Sequence, residues 1–391
     1  MISRTMRIAL LVMAFVAFAP ACSWDYLIWI PHEPDADPLF QFRKGDNIGY
    51  IDQTGKMVMP PSIRAYSGNG GDEFHDGRLE ISASDGVYVD ATGKKVIDKG
   101  FYRGWDFSEG LAVAARTDDG PWGYIDTSGE FAISPHFAWG PEDHLDSFSG
   151  GVAAIEVSGR YGYIDHSGSF VIPPKLFDGD SFHEGYARVV VDGPCVYVRR
   201  DDPCSNLMIR GVPSKASLKD GGELPGCKFG FIDKTGRAIS DKRYDYALNF
   251  SEGLAPVLVH ERWGYIDKAG ELVISPQFDT AAPFSDGVGL VKENKLYGFI
   301  DGHGSYVIAP RFKWAESFVD GVAVVGSDAT HGPVWYIDHQ GNQVFSREFA
   351  VGSSFFKGLA HVKLLPRGRA DHTERFEYID RDGKTVFAYT P

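Results

Sequence analysis

The segment that decides the fold is WGYIDKAG at residues 263–270. Side chains alternate along a strand, so its two aromatic residues share one face while Gly264 and Ile266 share the other. This pattern predicts a strand that is buried on both sides. Asp267 and Gly270 stand at the first and last positions of a type I turn, where a carboxylate caps backbone N–H groups and glycine tolerates positive φ. The segment therefore predicts a β-hairpin.

The residues after this hairpin predict the rest of one structural unit. Residues 271–275 predict the returning strand, and Pro276 predicts its end because proline cannot donate to a β-ladder. Residues 278–286 predict an irregular loop that Phe284 holds against the core, and residues 287–291 predict a third strand. One unit is therefore predicted to contain three antiparallel strands.

The hairpin motif occurs nine times as an aromatic residue, Ile or Val, Asp, two residues and Gly. Successive Asp residues are 34 to 42 positions apart, except for one interval of 68. A second motif, Phe-x-x-Gly, occurs eight times between the hairpins. Such regular spacing predicts a repeat protein in which these Asp and Gly residues form structural turns. The pairs are Asp52 and Gly55, Asp90 and Gly93, Asp126 and Gly129, Asp165 and Gly168, Asp233 and Gly236, Asp267 and Gly270, Asp301 and Gly304, Asp338 and Gly341, and Asp380 and Gly383.

The units resemble the WG (KWG) repeat family of bacterial exported proteins, from about residue 39 to the C-terminus. The Trp-Gly pair that names the family stands at 122–123 and at 263–264, each followed by Ile-x-Pro-x-Phe, and Phe-Ser-Glu-Gly elements stand at 107–110 and 250–253. The resemblance implies a repeat architecture and no particular reaction.

The predicted fold is all-β, with about nine three-stranded antiparallel units in a β-propeller-like closed ring; an open β-solenoid is the alternative. The chain begins with a third strand at 38–43 and ends after a second strand at 385–389. A ring could use this offset by letting the N-terminal strand complete the last unit, which would hide the edges of an open sheet.

Composition excludes several classes of protein. With 46 Gly, 27 Phe, 18 Tyr and 8 Trp in 391 residues, and 24% charged residues, the chain is neither disordered nor a coiled coil nor collagen. The formal charge of -14 repels phosphate backbones, so no nucleic-acid partner is expected.

The N-terminus predicts export. Residues 1–21 have two arginines, an apolar run and a small-residue cleavage site, as in a signal peptide. Cys22 follows directly and resembles the lipid-attachment site of a bacterial lipoprotein, while Ala-x-Ala suits ordinary cleavage and a soluble periplasmic or secreted protein equally well. Removal of the signal gives a formal charge of -16. Residues 22–38 would be a Pro-rich tether, and 39–391 the repeat domain.

An insertion accounts for the longest interval between repeats. Residues 192–227 form an excursion that holds the three remaining cysteines, Cys195, Cys204 and Cys227. In an exported chain this favours a disulfide, with Cys195 paired to either of the other two. Lipidated Cys22 would leave one thiol unpaired, whereas free Cys22 would allow two bridges.

Motifs for catalysis or metal binding are missing from the sequence. We find no His-x-x-x-His, Cys-x-x-Cys, Gly-x-Ser-x-Gly or phosphate-binding Gly-x-x-x-x-Gly-Lys pattern, and 178–180 lacks the later ligands of a calcium loop. We therefore predict no catalytic, cofactor or metal residues. The first-strand aromatics are predicted core residues, with a carbohydrate- or peptide-binding platform as the alternative.

The predicted function is that of a non-enzymatic repeat protein of the bacterial cell envelope, membrane-anchored if Cys22 is acylated, which binds a protein or another envelope ligand. One alternative is an exported, glycan-directed enzyme whose carboxylates converge without a local motif. The other is a purely structural envelope protein.

Overall fold

The computed structural model describes residues 38–64, 74–82, 86–117, 120–138, 144–192, 228–327, 333–368 and 373–391. Within these residues the chain forms strands and turns and no helix. The strands make nine small antiparallel sheets in the described residues, which follow one another along the chain. The predicted all-β repeat architecture is confirmed.

Each sheet is a meander, because its strands pair in chain order. The first sheet contains β1 Phe40–Lys44, β2 Asn47–Ile51 and β3 Met57–Arg64; the second β4 Leu79–Ser82, β5 Val87–Val89 and β6 Lys95–Ile97; the third β7 Arg103–Gly104, β8 Leu111–Ala115, β9 Trp122–Asp126 and β10 Phe131–Phe137; the fourth β11 His144–Leu145, β12 Val152–Val157, β13 Arg160–Asp165 and β14 Phe170–Leu176; the fifth β15 Tyr186–Asp192 and β16 Lys228–Asp233. The sixth contains β17 Tyr246–Ala247, β18 Leu254–Val259, β19 Arg262–Asp267 and β20 Leu272–Phe278; the seventh β21 Thr280–Ser285, β22 Val288–Glu293, β23 Leu296–Ile300 and β24 Tyr306–Phe312; the eighth β25 Trp314–Ala315, β26 Ala323–Gly326 and β27 Val334–Ile337; the ninth β28 Val351–Gly352, β29 Ala360–Lys363, β30 Phe376–Ile379 and β31 Thr385–Tyr389.

A complete sheet has four strands, so the prediction of three-stranded units is wrong. The strand that sequence reasoning missed is the first one, such as β17 in the sixth sheet, which pairs with β18. In the seventh sheet this strand is β21, which occupies the region predicted to be irregular. A strand of two residues such as β17 is too short to show an alternating pattern, and in the longer β21 the alternation is broken by Pro283 and a register shift.

The last strand of the sheet also differs from expectation. Pro276 does not end it, since β20 continues to Phe278, which pairs with Trp263. The register shifts twice along this pairing, and the proline lies within the shifted stretch. Proline is tolerated there because β20 is an edge strand and its ladder is locally interrupted.

The core lies between neighbouring sheets. Trp263 and Tyr265 are fully buried, as predicted from their strand. The Tyr265 ring meets Phe284 of the next sheet with centroids 5.0 Å apart, and its hydroxyl donates to the carbonyl of Ala282 at 2.8 Å. Each sheet therefore buries one face against the sheet that follows it.

The two ends of the chain meet, although not by sharing a strand. Phe40 of β1 pairs with Ile51 of β2, while the ninth sheet contains four strands of its own, so the N-terminal strand does not complete the last unit. Side chains make the contact instead: the ring of Phe42 lies 4.9 Å from that of Phe387, and the hydroxyl of Tyr378 donates to the carbonyl of Gln41 at 2.5 Å.

The antiparallel order gives every sheet two different ends. The Asp-x-x-Gly and Phe-x-x-Gly turns lie at one end, which we call the turn end. Second strands end and third strands begin at the other, the loop end, and the number of residues between them varies from two, at 158–159, to the 35 residues from 193 to 227. The chain therefore leaves and rejoins the described sheets at the loop end where the longest insertion occurs.

Three sequence predictions concern residues outside this description. The signal peptide, the tether up to residue 37 and the insertion from 193 to 227 are not among the described residues, and neither are Cys22, Cys195, Cys204 and Cys227. In the part of the chain that is described, no helix could span a membrane.

Candidate functional site

The nine Asp residues of the repeat motif organise the turn end. In the sixth sheet, one oxygen of Asp267 accepts hydrogen bonds from the N–H groups of Ala269 and Glu271, both at 2.9 Å, and Gly270 donates to the carbonyl of Asp267 at 2.9 Å. The same bonds recur at Asp52, Asp90, Asp126, Asp165, Asp233, Asp301, Asp338 and Asp380. One oxygen of each of these carboxylates therefore caps the turn that contains it.

Hydrogen bonding also affects the charge of these Asp residues. The backbone N–H groups of Ser305 and His303 hold the pKa of the Asp301 carboxyl below its usual range. At Asp52 the hydroxyl of Thr54 is the largest cause of a lowered pKa. A carboxyl group that stays ionised at neutral pH suits a turn cap and does not suit a general acid.

A second row of carboxylates links each unit to the next, and sequence reasoning missed it. Glu184, in the Phe-x-x-Gly turn of the fifth unit, accepts hydrogen bonds from the N–H groups of Glu252 at 2.7 Å and Gly253 at 2.9 Å in the sixth unit. It also pairs with Lys268 at 3.1 Å. Partial burial opposes ionisation of Glu184, but the hydrogen bond from Gly253 and the contact with Lys268 lower its pKa.

Five more carboxylates make the equivalent bond to the glycine N–H of the following unit. They are Asp76 to Gly110 at 2.6 Å, Glu109 to Gly151 at 2.9 Å, Glu252 to Gly287 at 2.9 Å, Asp286 to Gly321 at 2.6 Å and Asp320 to Gly358 at 3.3 Å. The signal was present in the sequence, since an acidic residue stands directly before the glycine of these turns. It identifies an inter-unit contact rather than a ligand site.

The glycine of the Trp-Gly pair is required by a close approach of two strands. A Cβ on Gly264 would stand 2.4 Å from the carbonyl oxygen of Ile274 and 2.8 Å from the nitrogen of Pro276. The corresponding glycines of other sheets, Gly123, Gly162 and Gly298, face the same Ile and Pro backbone at 2.4 to 2.7 Å. Together with the buried tryptophan, this explains the motif as packing of the third strand against the fourth.

Polar side chains that depart from the repeat are the remaining candidates for function. One position lies on the second strand, opposite the aromatic residue of the third. It is apolar in five of the described sheets, as Val113, Ala154, Pro256, Leu290 and Val324. It is polar in the other four, as Gln41, Glu80, Arg188 and His361.

Arg188 shows how a polar residue at this position is accommodated. Its guanidinium pairs with Asp180 at 2.6 Å and donates to the carbonyl of Ala247 at 3.0 Å. It also lies over the rings of Phe229 and Tyr246, at 5.2 and 5.0 Å from their centroids. The ion pair with Arg188 compensates the charge of Asp180, which is one of the loop carboxylates that the sequence analysis compared with a calcium loop.

Two carboxyl groups stand out by their environment. Burial, together with the smaller effect of the nearby Asp106 charge, raises the pKa of Glu80 to about 8. Burial also raises the pKa of Glu316 to about 7, against the opposing effect of a hydrogen bond from Ser354 at 2.8 Å. Such groups can hold or release a proton near neutral pH, which the turn carboxylates cannot.

No group of three or more His, Cys, Asp or Glu side chains among the described residues could hold a metal ion. The aromatic residues of the third strands, from Tyr50 to Tyr336, are enclosed between sheets. They therefore act as core residues and do not form an exposed platform.

Comparison with known families agrees with these contacts. The family model described as WG containing repeat matches residues 88–115, 122–161, 161–193, 229–262, 263–297 and 297–328. The chain belongs to the WG repeat family. The matched segments of this WG repeat protein contain four of the close Gly contacts, at Gly123, Gly162, Gly264 and Gly298.

Solved structures resemble the WG repeat chain in fold alone. A crystal structure of the eukaryotic initiation factor has a TM-score of 0.59 at 12% identity and covers 91% of this chain and 96% of its own. The computationally designed Ika8 protein has a TM-score of 0.41 at 15% identity, covering 81% and 94%, and the C-terminal WD40 domain of Sif2 has 0.35 at 7%, covering 70% and 78%. The first likeness supports a β-propeller-like fold. No curated protein matches the sequence.

Proposed function

We propose that the nine described sheets close into a ring, and that this ring is a non-enzymatic scaffold whose loop end binds a protein partner in the bacterial envelope. The observation that carries the proposal is the contact between the first and ninth sheets. It repeats the contacts that join successive sheets elsewhere in the chain.

Tyrosine hydroxyls make the first of these repeated contacts. Tyr124 donates to the carbonyl of Asp146 in the next sheet at 2.7 Å, and Tyr163 donates to Asp180 at 2.7 Å. Tyr378 occupies the same place in the ninth sheet and donates to Gln41 of the first. The ninth sheet thus contacts the first sheet through the same kind of hydrogen bond that joins successive sheets elsewhere.

Turn glycines make the second repeated contact. Gly304 of the seventh unit packs against Ile274 of the sixth, with a Cβ position 3.0 Å from its side chain. Gly55 of the first unit packs in the same way against Val386 of the ninth, with a Cβ position 2.5 Å from the carbonyl oxygen. An open solenoid would not bring its two ends into contact in this way.

Small-angle X-ray scattering of the full chain tests closure. A compact ring has a radius of gyration of about 21 Å for this length, and an open solenoid has a clearly larger one. A markedly larger value for a monomer would refute the ring.

The division of the molecule into two ends supports a binding role at the loop end. At the turn end, one oxygen of each motif Asp caps its own turn and the acidic residues of the Phe-x-x-Gly turns bond to the next unit, so the carboxylates that repeat there have structural roles. The loop end varies between units, and loops on a rigid scaffold are the usual place for recognition.

Photo-crosslinking in cells tests the location of the partner. The crosslinking amino acid is placed at Glu261 or Arg367, exposed at the loop end, and at the matched controls Ala269 and Gln340, exposed at the turn end. We expect discrete adducts from the loop end alone. Equal adducts from both ends would refute the assignment, and none from either would favour a purely structural envelope protein.

Export and membrane attachment form a separate part of the proposal. It rests on residues 1–21 and on Cys22, which follow the pattern of an exported lipoprotein. Intact mass of the mature protein, with and without reduction, tests acylation and the disulfides of Cys195, Cys204 and Cys227 together. An unacylated N-terminus would refute the anchor and leave the ring and its partner unaffected.

A further inference from the structure

The junction between the second and third sheets contains a buried carboxyl group that the repeat does not require. Glu80 lies on β4 opposite Tyr88 of β5, at the position where five other sheets have an apolar residue. Only 7% of Glu80 is exposed. Among the described residues its buried Oε1 atom has no hydrogen-bond partner.

The groups that face Glu80 come from three elements. From β5 comes Tyr88, whose hydroxyl donates to the carbonyl of Trp105 at 2.7 Å. From the third sheet, directly after that residue, comes Asp106, which is close enough to act electrostatically on both Glu80 and Tyr88. From the turn before β4 comes His75, whose Nε2 lies 3.9 Å from an oxygen of Asp106. The imidazole therefore lies beside Asp106, and among the charged groups it is Asp106 that acts on Glu80.

We propose that this junction is a proton-dependent joint, closed while Glu80 carries a proton and weakened when Glu80 ionises beside Asp106. A protonated carboxyl group is neutral and can stay between two packed sheets. An ionised one loses its solvation there and is repelled by a second carboxylate on the facing sheet. Separation of the second sheet from the third would let water reach both groups.

The sign of the pH dependence follows from linkage. Glu80 ionises at an ordinary value of 4.5 in the unfolded chain and at about 8 in the folded one. The folded chain therefore holds the proton more tightly, and its stability falls as pH rises across that interval. For this single group the folding equilibrium constant falls by about tenfold per pH unit between roughly pH 5 and 8.

Three variants of the full chain separate this effect from other titrations. Glu80→Gln keeps the shape of the protonated side chain, Glu80→Leu copies the apolar residue of other units, and Asp106→Asn removes the facing charge. We measure urea midpoints from pH 5 to 9, together with amide exchange corrected for its intrinsic pH dependence. β4 and β8 report on the joint, and β18 and β22 serve as internal controls.

We expect the wild-type chain to lose stability relative to Glu80→Gln by about tenfold in its folding constant per pH unit up to pH 8. Protection in β4 and β8 should fall in parallel, while β18 and β22 keep theirs. Asp106→Asn should lower the pKa of Glu80 in the folded chain, so the loss of stability should be smaller and should end at a lower pH. If Glu80→Gln folds poorly, Glu80→Leu provides the same comparison. The proposal is overturned if wild type and both Glu80 variants share one pH dependence, or if all four strands lose protection equally.

Discussion

Replacement of Gly264 by alanine tests the steric basis of the Trp-Gly motif. The new methyl group would stand 2.4 Å from the carbonyl oxygen of Ile274, far inside the optimal separation of about 3.5 Å. Both neighbours at this site, Ile274 and Pro276, contribute backbone atoms, so no side-chain rotation can relieve the clash. β20 must move away from β19. We expect the free energy of unfolding to fall by about 3 kcal/mol, which is the upper end of the usual range for an overpacked site.

Gly230→Ala is the matched control. Gly230 follows the aromatic residue Phe229 on β16, but its nearest neighbour is a side-chain methyl of Val191 at 3.0 Å, and backbone lies no nearer than 3.9 Å. A side chain can shift, and alanine gains about 0.4 to 1 kcal/mol from the reduced freedom of the unfolded chain. We therefore expect Gly230→Ala to change stability by less than about 1 kcal/mol.

Urea unfolding followed by tryptophan fluorescence measures the difference, since Trp263 is fully buried beside the substitution. With a slope of about 3 kcal/mol per molar urea, Gly264→Ala should lower the midpoint by about 1 M, while Gly230→Ala leaves it nearly unchanged. Equal midpoints for the two variants would refute the steric explanation of the motif.

Three further substitutions test other contacts. Tyr378→Phe removes the hydroxyl that donates to Gln41, and should lower stability by about 1 kcal/mol in urea unfolding; an unchanged midpoint would show that this contact between chain ends contributes nothing. Glu184→Gln replaces a partly exposed carboxylate that accepts a hydrogen bond from Gly253 and pairs with Lys268. We expect the free energy of unfolding to fall by about 1 kcal/mol at low salt and by less at high salt. A decrease that does not depend on salt would contradict a role for the charge of Glu184. Glu316 has a pKa of about 7 in the folded chain, above its ordinary 4.5, so it contributes stability at low pH that is lost as pH rises through 7. Glu316→Gln should remove that part of the pH dependence of the urea midpoint, and an identical pH profile would contradict the assignment.

Much of one unit could be predicted because its signals are local. An Asp carboxylate reaches N–H groups two and four residues ahead, so the turn at Asp267 forms from its own sequence. Alternation within β19 likewise predicts burial on both faces, and Trp263 and Tyr265 are fully buried.

The missing strand of each unit could not be predicted in this way. β17 has two residues, and it forms because β18 provides partners for it. The continuation of β20 through Pro276 depends on a register shift against β19, which the proline alone does not reveal. In both cases pairing with another strand overrides the local pattern.

The contacts of the polar residues in the candidate sites could not be predicted from the sequence either. Nothing beside Glu80 in the chain indicates a neighbour at Asp106, because the two residues lie on different sheets. Similarly, the acidic residue of each Phe-x-x-Gly turn is visible in the sequence, but its partner is a glycine N–H in the following unit.

The sequence by itself determined the repeat, the positions of its turns and its membership of the WG repeat family, because each depends on residues a few positions apart. Only the tertiary structure decided that a full sheet has four strands, that Gly264 faces the backbone of β20, and that the first sheet lies against the ninth. These features depend on contacts between distant segments. The energy of such contacts comes from burial and close approach, which a linear pattern does not contain.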